Sequence, residues 1–400
     1  MSMEDTAELE CPRLSGRDDR KSAAIAAAND AIQPRAERVA SFGLARRILR
    51  GREFKQAMLN GDRFPVSDPD QLPVFFLDGE VHRRKRAALS RFFSPKAIAS
   101  IYRPVIDREV AALMSEFRRT GHMRLDEASW LLAVAIAAEV VGLSESPSGD
   151  MAGRIEKILE HGEYPGMPAL RSFVASQMSK LRTLAFFRKD VRPAIAARRR
   201  QRRNDLISQL LDDGFSDVMI LVECMVYATA GMTTTREFIT MAAWHLFDRP
   251  DLREAFVGGD EAEQFAILEE ILRLEPVGGY VYRRADEEPE DGADGGLKAG
   301  QTYAINLRAA NWDEAAAGEC PFAIDPGRAR RMKQVGSYMS FGDGAHRCPG
   351  AQLALHETRV FIDALFRVPG LALVQEPRLQ WNRSLSSYEL RDSVVSCPAA

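Results

Sequence analysis

Helical periodicity runs unbroken from Ser216 to Asp248, opened by a serine suited to an N-cap and closed by Asp248, Arg249 and Pro250. At about 1.5 Å per residue such a helix extends ~50 Å, longer than a small domain is wide. It predicts a large body built around one central rod. The most apolar part, Val218 to Met232, is too short to span a bilayer and carries Glu223, so a buried helix is expected rather than a membrane anchor. The chain is long enough for this, with 400 residues, and 46% hydrophobic against 28% charged residues is a globular balance. Lys and Arg number 54 against 57 Asp and Glu, a formal charge of −3 that argues against nucleic acid as a partner.

Around this rod the chain divides by texture. Residues 1–34 read as a flexible tail whose first twenty residues contain neither a signal sequence nor an anchor, so a cytoplasmic protein is expected. PRAERVASFGLARRILRGREFKQAML has apolar residues at helical spacing and predicts an amphipathic helix, followed by a Pro-rich loop over 61–79. Glu80 to Leu274 is helical almost throughout. After Pro276 short strand-like runs, YVYRRA and TYAINLRAA, flank the acidic turn DEEPEDGADGG, and a second helical run follows Cys348. The fold class is mainly α with a small β-rich region, and residues 35–400 read as one domain. The five cysteines (Cys11, Cys224, Cys320, Cys348, Cys397) are scattered and form no CxxC pair, which excludes a disulfide scaffold and argues against a zinc or iron–sulfur site.

One cysteine stands apart. In SFGDGAHRCPGAQLALHETRVFIDALF, a Gly-rich loop delivers Cys348 to the start of an amphipathic helix, with Pro349 suited to its first position. Free amides and the helix dipole there favour a thiolate. Gly342, Gly344 and Gly350 let the backbone approach a flat ligand. Such a thiolate suits an axial ligand of haem iron, with His346 and Arg347 as flanking donors. Taken alone, a single cysteine in a Gly-rich turn is more often an inert, buried thiol; the whole string argues otherwise.

FGDGAHRCPG resembles the cysteine-ligand loop of the cytochrome P450 family, with Phe341, Gly342, Gly344, His346, Cys348 and Gly350 at the matching places. Four further segments resemble family motifs in the family's order. EEILRLEP offers Glu270 and Arg273, a structural Glu-x-x-Arg lock on one helix face. YVYRRA offers Arg283, in preference to Arg284, to a haem propionate. DGEVHRRKRAAL offers His82 and Arg86 to the propionates, although HRRKR alone also reads as a solvated basic face or a nucleic-acid patch. ATAGMTTTREF resembles the oxygen-activation segment: Ala230 and Gly231 leave room beside the cofactor, and Thr234 aligns with the alcohol that handles oxygen. Thr233 stands where the family has an acid, so a relay through Thr233, Thr234 and water, with Glu237 one turn on, is expected. Weaker likenesses lie in AANWDE and ARRRQRRNDLISQLL.

The resemblance implies a P450 fold with heme b between the Thr-bearing helix and the Cys348 loop. It implies monooxygenation of a hydrophobic small molecule by O2, with electrons from a ferredoxin and an NAD(P)H-dependent reductase. Arg328, Arg330, Arg331 and Lys333 are candidates for a basic docking face, or form a solvated turn. Phe64, Phe75, Phe76, Tyr227, Thr229, the stretch HGEYPGMPALRSF and Val277 to Tyr280 are candidate substrate contacts. The threonine at position 233 keeps open an alternative, a peroxide-driven or otherwise atypical haem-thiolate oxidant.

Overall fold

The computed structural model describes residues 17–33, 35–57, 71–159, 169–288, 296–383 and 386–399, with side chains in the helix Ala169–Phe186 described from residue 174. Helices dominate. The rod is continuous as Asp217–Tyr227, a wider π-type turn at Ala228–Met232, and Thr233–Asp248. Ser216 caps it by accepting the amide of Met219 at 3.4 Å. By length and composition Asp217–Asp248 would suffice to cross a membrane, yet here it packs against the helices Leu125–Val141 and Ala351–Phe366 at the centre of the core. Ile239, Ala242, Ala243 and Leu246 are wholly buried on its flanks.

The widened turn has a visible cause. Thr229, Thr234 and Thr235 donate their hydroxyls to the carbonyls of Met225, Ala230 and Gly231 at 2.9, 2.7 and 2.8 Å, and Thr233 donates to Thr229. Such back-bonding loosens a helix locally; Thr229 lies inside the turn and the other three alcohols follow it directly.

The β region is small and stitched from distant segments. One four-stranded sheet has the order Glu37–Val39, Thr302–Asn306, Tyr280–Ala285, Phe54–Gln56, parallel only in its first pair. Smaller antiparallel sheets join His122–Arg124, Val394–Ser396 and Ala372–Gln375, and Arg378–Asn382 with Ser387–Arg391. The single amphipathic helix expected after residue 34 is only Phe42–Arg50, with strands on both sides. Ser41 starts it and Gly51 ends it, and pairing with the 280–306 hairpin claims the rest.

The expected tail is tied down from Asp19 onward. Asp19 accepts the amide of Ile324 (2.9 Å) and pairs with Arg249 (3.1 Å), and the amide of Ser22 reaches buried Glu275 (3.1 Å). Residues 1–16 lie outside the described residues.

Candidate active site

The loop before Cys348 is built for one conformation. Gly342 and Gly344 have φ of +69° and +67°, and a Cβ on Gly344 would lie 2.0 Å from the carbonyl oxygen of Leu49. The amide of Cys348 donates to Phe341 O at 2.8 Å, closing the loop on itself. From behind, Asn311 accepts the amide of Met339 and donates to Ser340 Oγ, both at 2.8 Å. Asn311 in turn rests on Arg273, whose guanidinium meets Glu270 at 2.8 and 2.9 Å and Asn311 O at 3.0 Å. The Glu-x-x-Arg pair is thus a buried brace for the loop, and AANWDE supplies its middle member.

Cys348 faces a cavity of about 340 Å³ between the loop and the rod. Phe341, Gly342, His346 and Gly350 line it from the loop, Ala230, Gly231 and Thr234 from the rod, and Arg283 from the sheet. A Cβ on Gly231 would meet nothing within 4 Å, so the helix leaves open space facing the thiol. His82 stacks on His346 with ring centroids 4.2 Å apart. Arg86 lies on the other side of the cysteine, with Arg347, Pro349 and Phe93, and donates to Arg347 O. Arg284 points outward to Asp286 at 3.0 Å, whereas Arg283 is buried. Thr233 lines a second, larger pocket instead, about 490 Å³, which shares Phe75, Ala230, Thr234, Val277 and Gly278 with the first.

Electrostatics follow from burial. Desolvation pushes the Cys348 thiol up, against the amides of Gly350 and Ala351 and the charges of Arg86 and Arg347, and the net direction is up. Burial thus works against the amides and cations that favour the thiolate expected from sequence, and a bound cation would add to the latter. Pro349 is also displaced: the helix is Ala351–Phe366 with Gly350 at its N-cap, so the proline precedes the cap. Burial lowers His82 to about 4, with further lowering by His346. Burial also lowers Arg283 to about 10, partly offset by Asp78.

Other expectations are corrected. Arg328 belongs to no docking face: it is 3% exposed, pairs with Glu270 at 2.9 Å and donates to Ala323 O at 2.9 Å. Arg330, Arg331 and Lys333 remain exposed, with Arg331 paired to Asp325. Arg198, in the segment ARRRQRRNDLISQLL, is buried against Asp205 and Gly142 O. Tyr280 lines neither pocket and hydrogen-bonds Asp30 and Asn306. Glu237 reaches the larger pocket, but its carboxylate is held by the Leu390 amide and Arg391, each at 2.7 Å; burial, offset by these arginine contacts, leaves its pKa raised. Phe64 and most of HGEYPGMPALRSF lie outside the described residues, as do the side chains of 169–173.

Three residues escaped the sequence reading. Asp78 accepts from His346 at 3.0 Å, and Gln56 accepts from Arg283; both contacts join remote segments. Glu357 lines the thiol cavity, one Oε without a partner, and burial raises it to about 8. Its spacing from Gly350 and Leu353 on one helix face was a usable signal.

The whole arrangement has counterparts. The family profile described as Cytochrome P450 matches residues 265–368, the span holding the brace and the cysteine loop. Cytochrome P450 107B1 of Saccharopolyspora erythraea is 26% identical over 86% of this chain and 81% of its own. From the same organism, 6-deoxyerythronolide B hydroxylase is 28% identical over 77% and 74%. The crystal structure of P450BioI in complex with an acyl carrier protein ligated to hexadec-9Z-enoic acid superposes with a TM-score of 0.74 at 22% identity, covering 94% of this chain and 98% of that one. The chain belongs to the cytochrome P450 superfamily. It is a P450 monooxygenase of bacterial type, and membership brings a haem ligated by a cysteine thiolate. The residues of this P450 fit that group: a thiol in an apolar cavity, a helix glycine that leaves the facing wall open, and the donors Arg283 and His346 at the rim.

Proposed function

We propose that this P450, acting through one haem-thiolate domain over residues 35–400, oxidises a hydrophobic small organic substrate in the cytoplasm, with electrons from a separate ferredoxin and its NAD(P)H-dependent reductase. The observation that carries this reading is the joining of the two pockets at Thr234: thiol cavity on one side, apolar chamber on the other. Phe75, Phe76, Leu221, Val222, Met225 and Val277 wall that chamber and would exclude water from an apolar guest. The hydroxylase relatives support insertion of oxygen into an organic molecule.

The roles follow from position. Cys348 would hold the haem iron, while Arg283, His346 and His82 would hold its carboxylates, joined by Arg86 if its guanidinium leaves Arg347 O. The bound haem supplies activation of dioxygen; the chain supplies the surroundings. Phe341, Gly342 and Gly350 shape the floor, and Ala230 and Gly231 keep the opposite wall low. Thr234 Oγ1, donating to Ala230 O, keeps lone pairs to accept a hydrogen bond from water, and rotation of its O–H away from Ala230 O would let it pass that proton on as it takes one from the water. Thr233 occupies the position of an acid, so protons would reach Thr234 through hydroxyls and water.

Turnover under isotopically labelled dioxygen, with NADH, ferredoxin and reductase, tests this: one labelled atom enters the product. Product formed from hydrogen peroxide without a reductase, at the same rate or faster, would favour the second reading, peroxide-driven oxidation, to which Thr233 points.

A further inference from the structure

Asp78 stands at the N-cap of the helix Gly79–Ser90, where an aspartate ordinarily accepts an amide of its own helix. Here the side chain makes no such bond. Its Oδ2 instead accepts the amide of Gln56 at 2.9 Å, and its Oδ1 accepts Nε2–H of His346 at 3.0 Å. Gln56 is paired in register with Arg283 and takes the Arg283 guanidinium on its side-chain oxygen. His346 is stacked on His82. One carboxylate thus ties the strand Phe54–Gln56 and the cysteine loop to the helix that carries His82 and Arg86, forgoing a helix cap to do so.

On the reading that these donors receive the haem carboxylates, we propose that Asp78 is a positioning residue for the cofactor. Its fixed charge sets the plane of the His346 ring and, through Gln56, the fork of Arg283. A free imidazole and guanidinium would each lose side-chain freedom on meeting the cofactor; the Asp78 bonds remove that freedom beforehand. The same charge, held at the rim of the site, disfavours adding an electron to the bound haem.

The test is Asp78→Asn in the holoenzyme, which keeps size and an acceptor for the Gln56 amide but removes the charge. Transfer of haem to an excess of an apo-globin is expected to accelerate about tenfold, as for other groups that orient a bound metal centre. The midpoint potential of the haem should move positive while the thiolate-type absorption spectrum stays as in the wild type, a change that loosened packing alone would not give. Unchanged release and an unchanged potential would overturn the proposal. Should the variant fail to retain haem through purification, Asp78→Glu, which keeps the charge, is expected to hold the wild-type potential; a Glu variant with the same defect as Asn would overturn it equally. Failure of the underlying haem reading looks different, because the wild-type protein would then show no thiolate-ligated spectrum at all.

Discussion

Arg328 Nε lies 2.9 Å from Glu270 Oε1, across 58 positions of sequence, with both side chains 3% exposed. The same carboxylate holds Arg273, so two guanidinium groups share one buried anion beneath the cysteine loop. Removing one partner from such a buried set typically costs ~3–5 kcal/mol. Arg328→Ala should lower unfolding stability by that order, read by chemical denaturation, whereas Arg330→Ala on the exposed side of the same turn should change it little.

Two glycines should separate fold from cofactor. Gly344→Ala forces a Cβ 2.0 Å from Leu49 O at a φ of +67° and should destabilise the protein outright. Gly231→Val projects into open space, so its melting in the haem-free state should stay near wild type while haem occupancy falls. Haem content per protein together with a thermal melt distinguishes the two.

Stability should fall as the pH rises from about 4.5 to about 7 because of Glu223. Burial raises its carboxyl to about 7, against a lowering by Lys85 and the Val74 amide. The folded state therefore binds a proton more tightly than the unfolded chain, where the group titrates near the ordinary glutamate value of 4.5. The advantage is complete below that lower value and is lost as pH rises through the folded one, by about 3 kcal/mol at most. Glu223→Gln, which can still accept from Val74, should melt higher than wild type at alkaline pH and about the same in acid.

Thr234→Ala removes the hydroxyl at the junction of the two pockets. Product per NADH consumed should drop, with a loss in product formation on the order of 10²-fold. Unchanged coupling would remove Thr234 from proton handling.

Arg283→Ala should weaken haem retention, and Arg284→Ala should not, because only the former is buried at the cavity rim. Spectrophotometric haem titration of each variant checks the contrast.

The parts of the site legible in the sequence were those written contiguously. FGDGAHRCPG encodes its own loop, since glycine spacing and the following helix are local facts, and TTT announces its back-bonding by composition. Asp78 and Gln56 were illegible because their partners lie far away and nothing nearby marks a cap aspartate that declines to cap. Arg328 looked like a surface charge because its neighbours Arg330 and Arg331 are; only the fold shows that it turns inward. The segment after residue 34 misled for a related reason: apolar spacing suits a helix, but its ends find strands some 250 residues on to pair with, as Glu37 does with Tyr303.

The central claim is a bond from the sulfur of Cys348 to haem iron. The absorption spectrum of the dithionite-reduced protein under carbon monoxide measures it most directly. The wild type should show the red-shifted Soret band of thiolate-ligated haem, and Cys348→Ser should lose that band while the fold persists by circular dichroism. A wild-type spectrum without the band, or a serine variant that keeps it, would contradict the assignment.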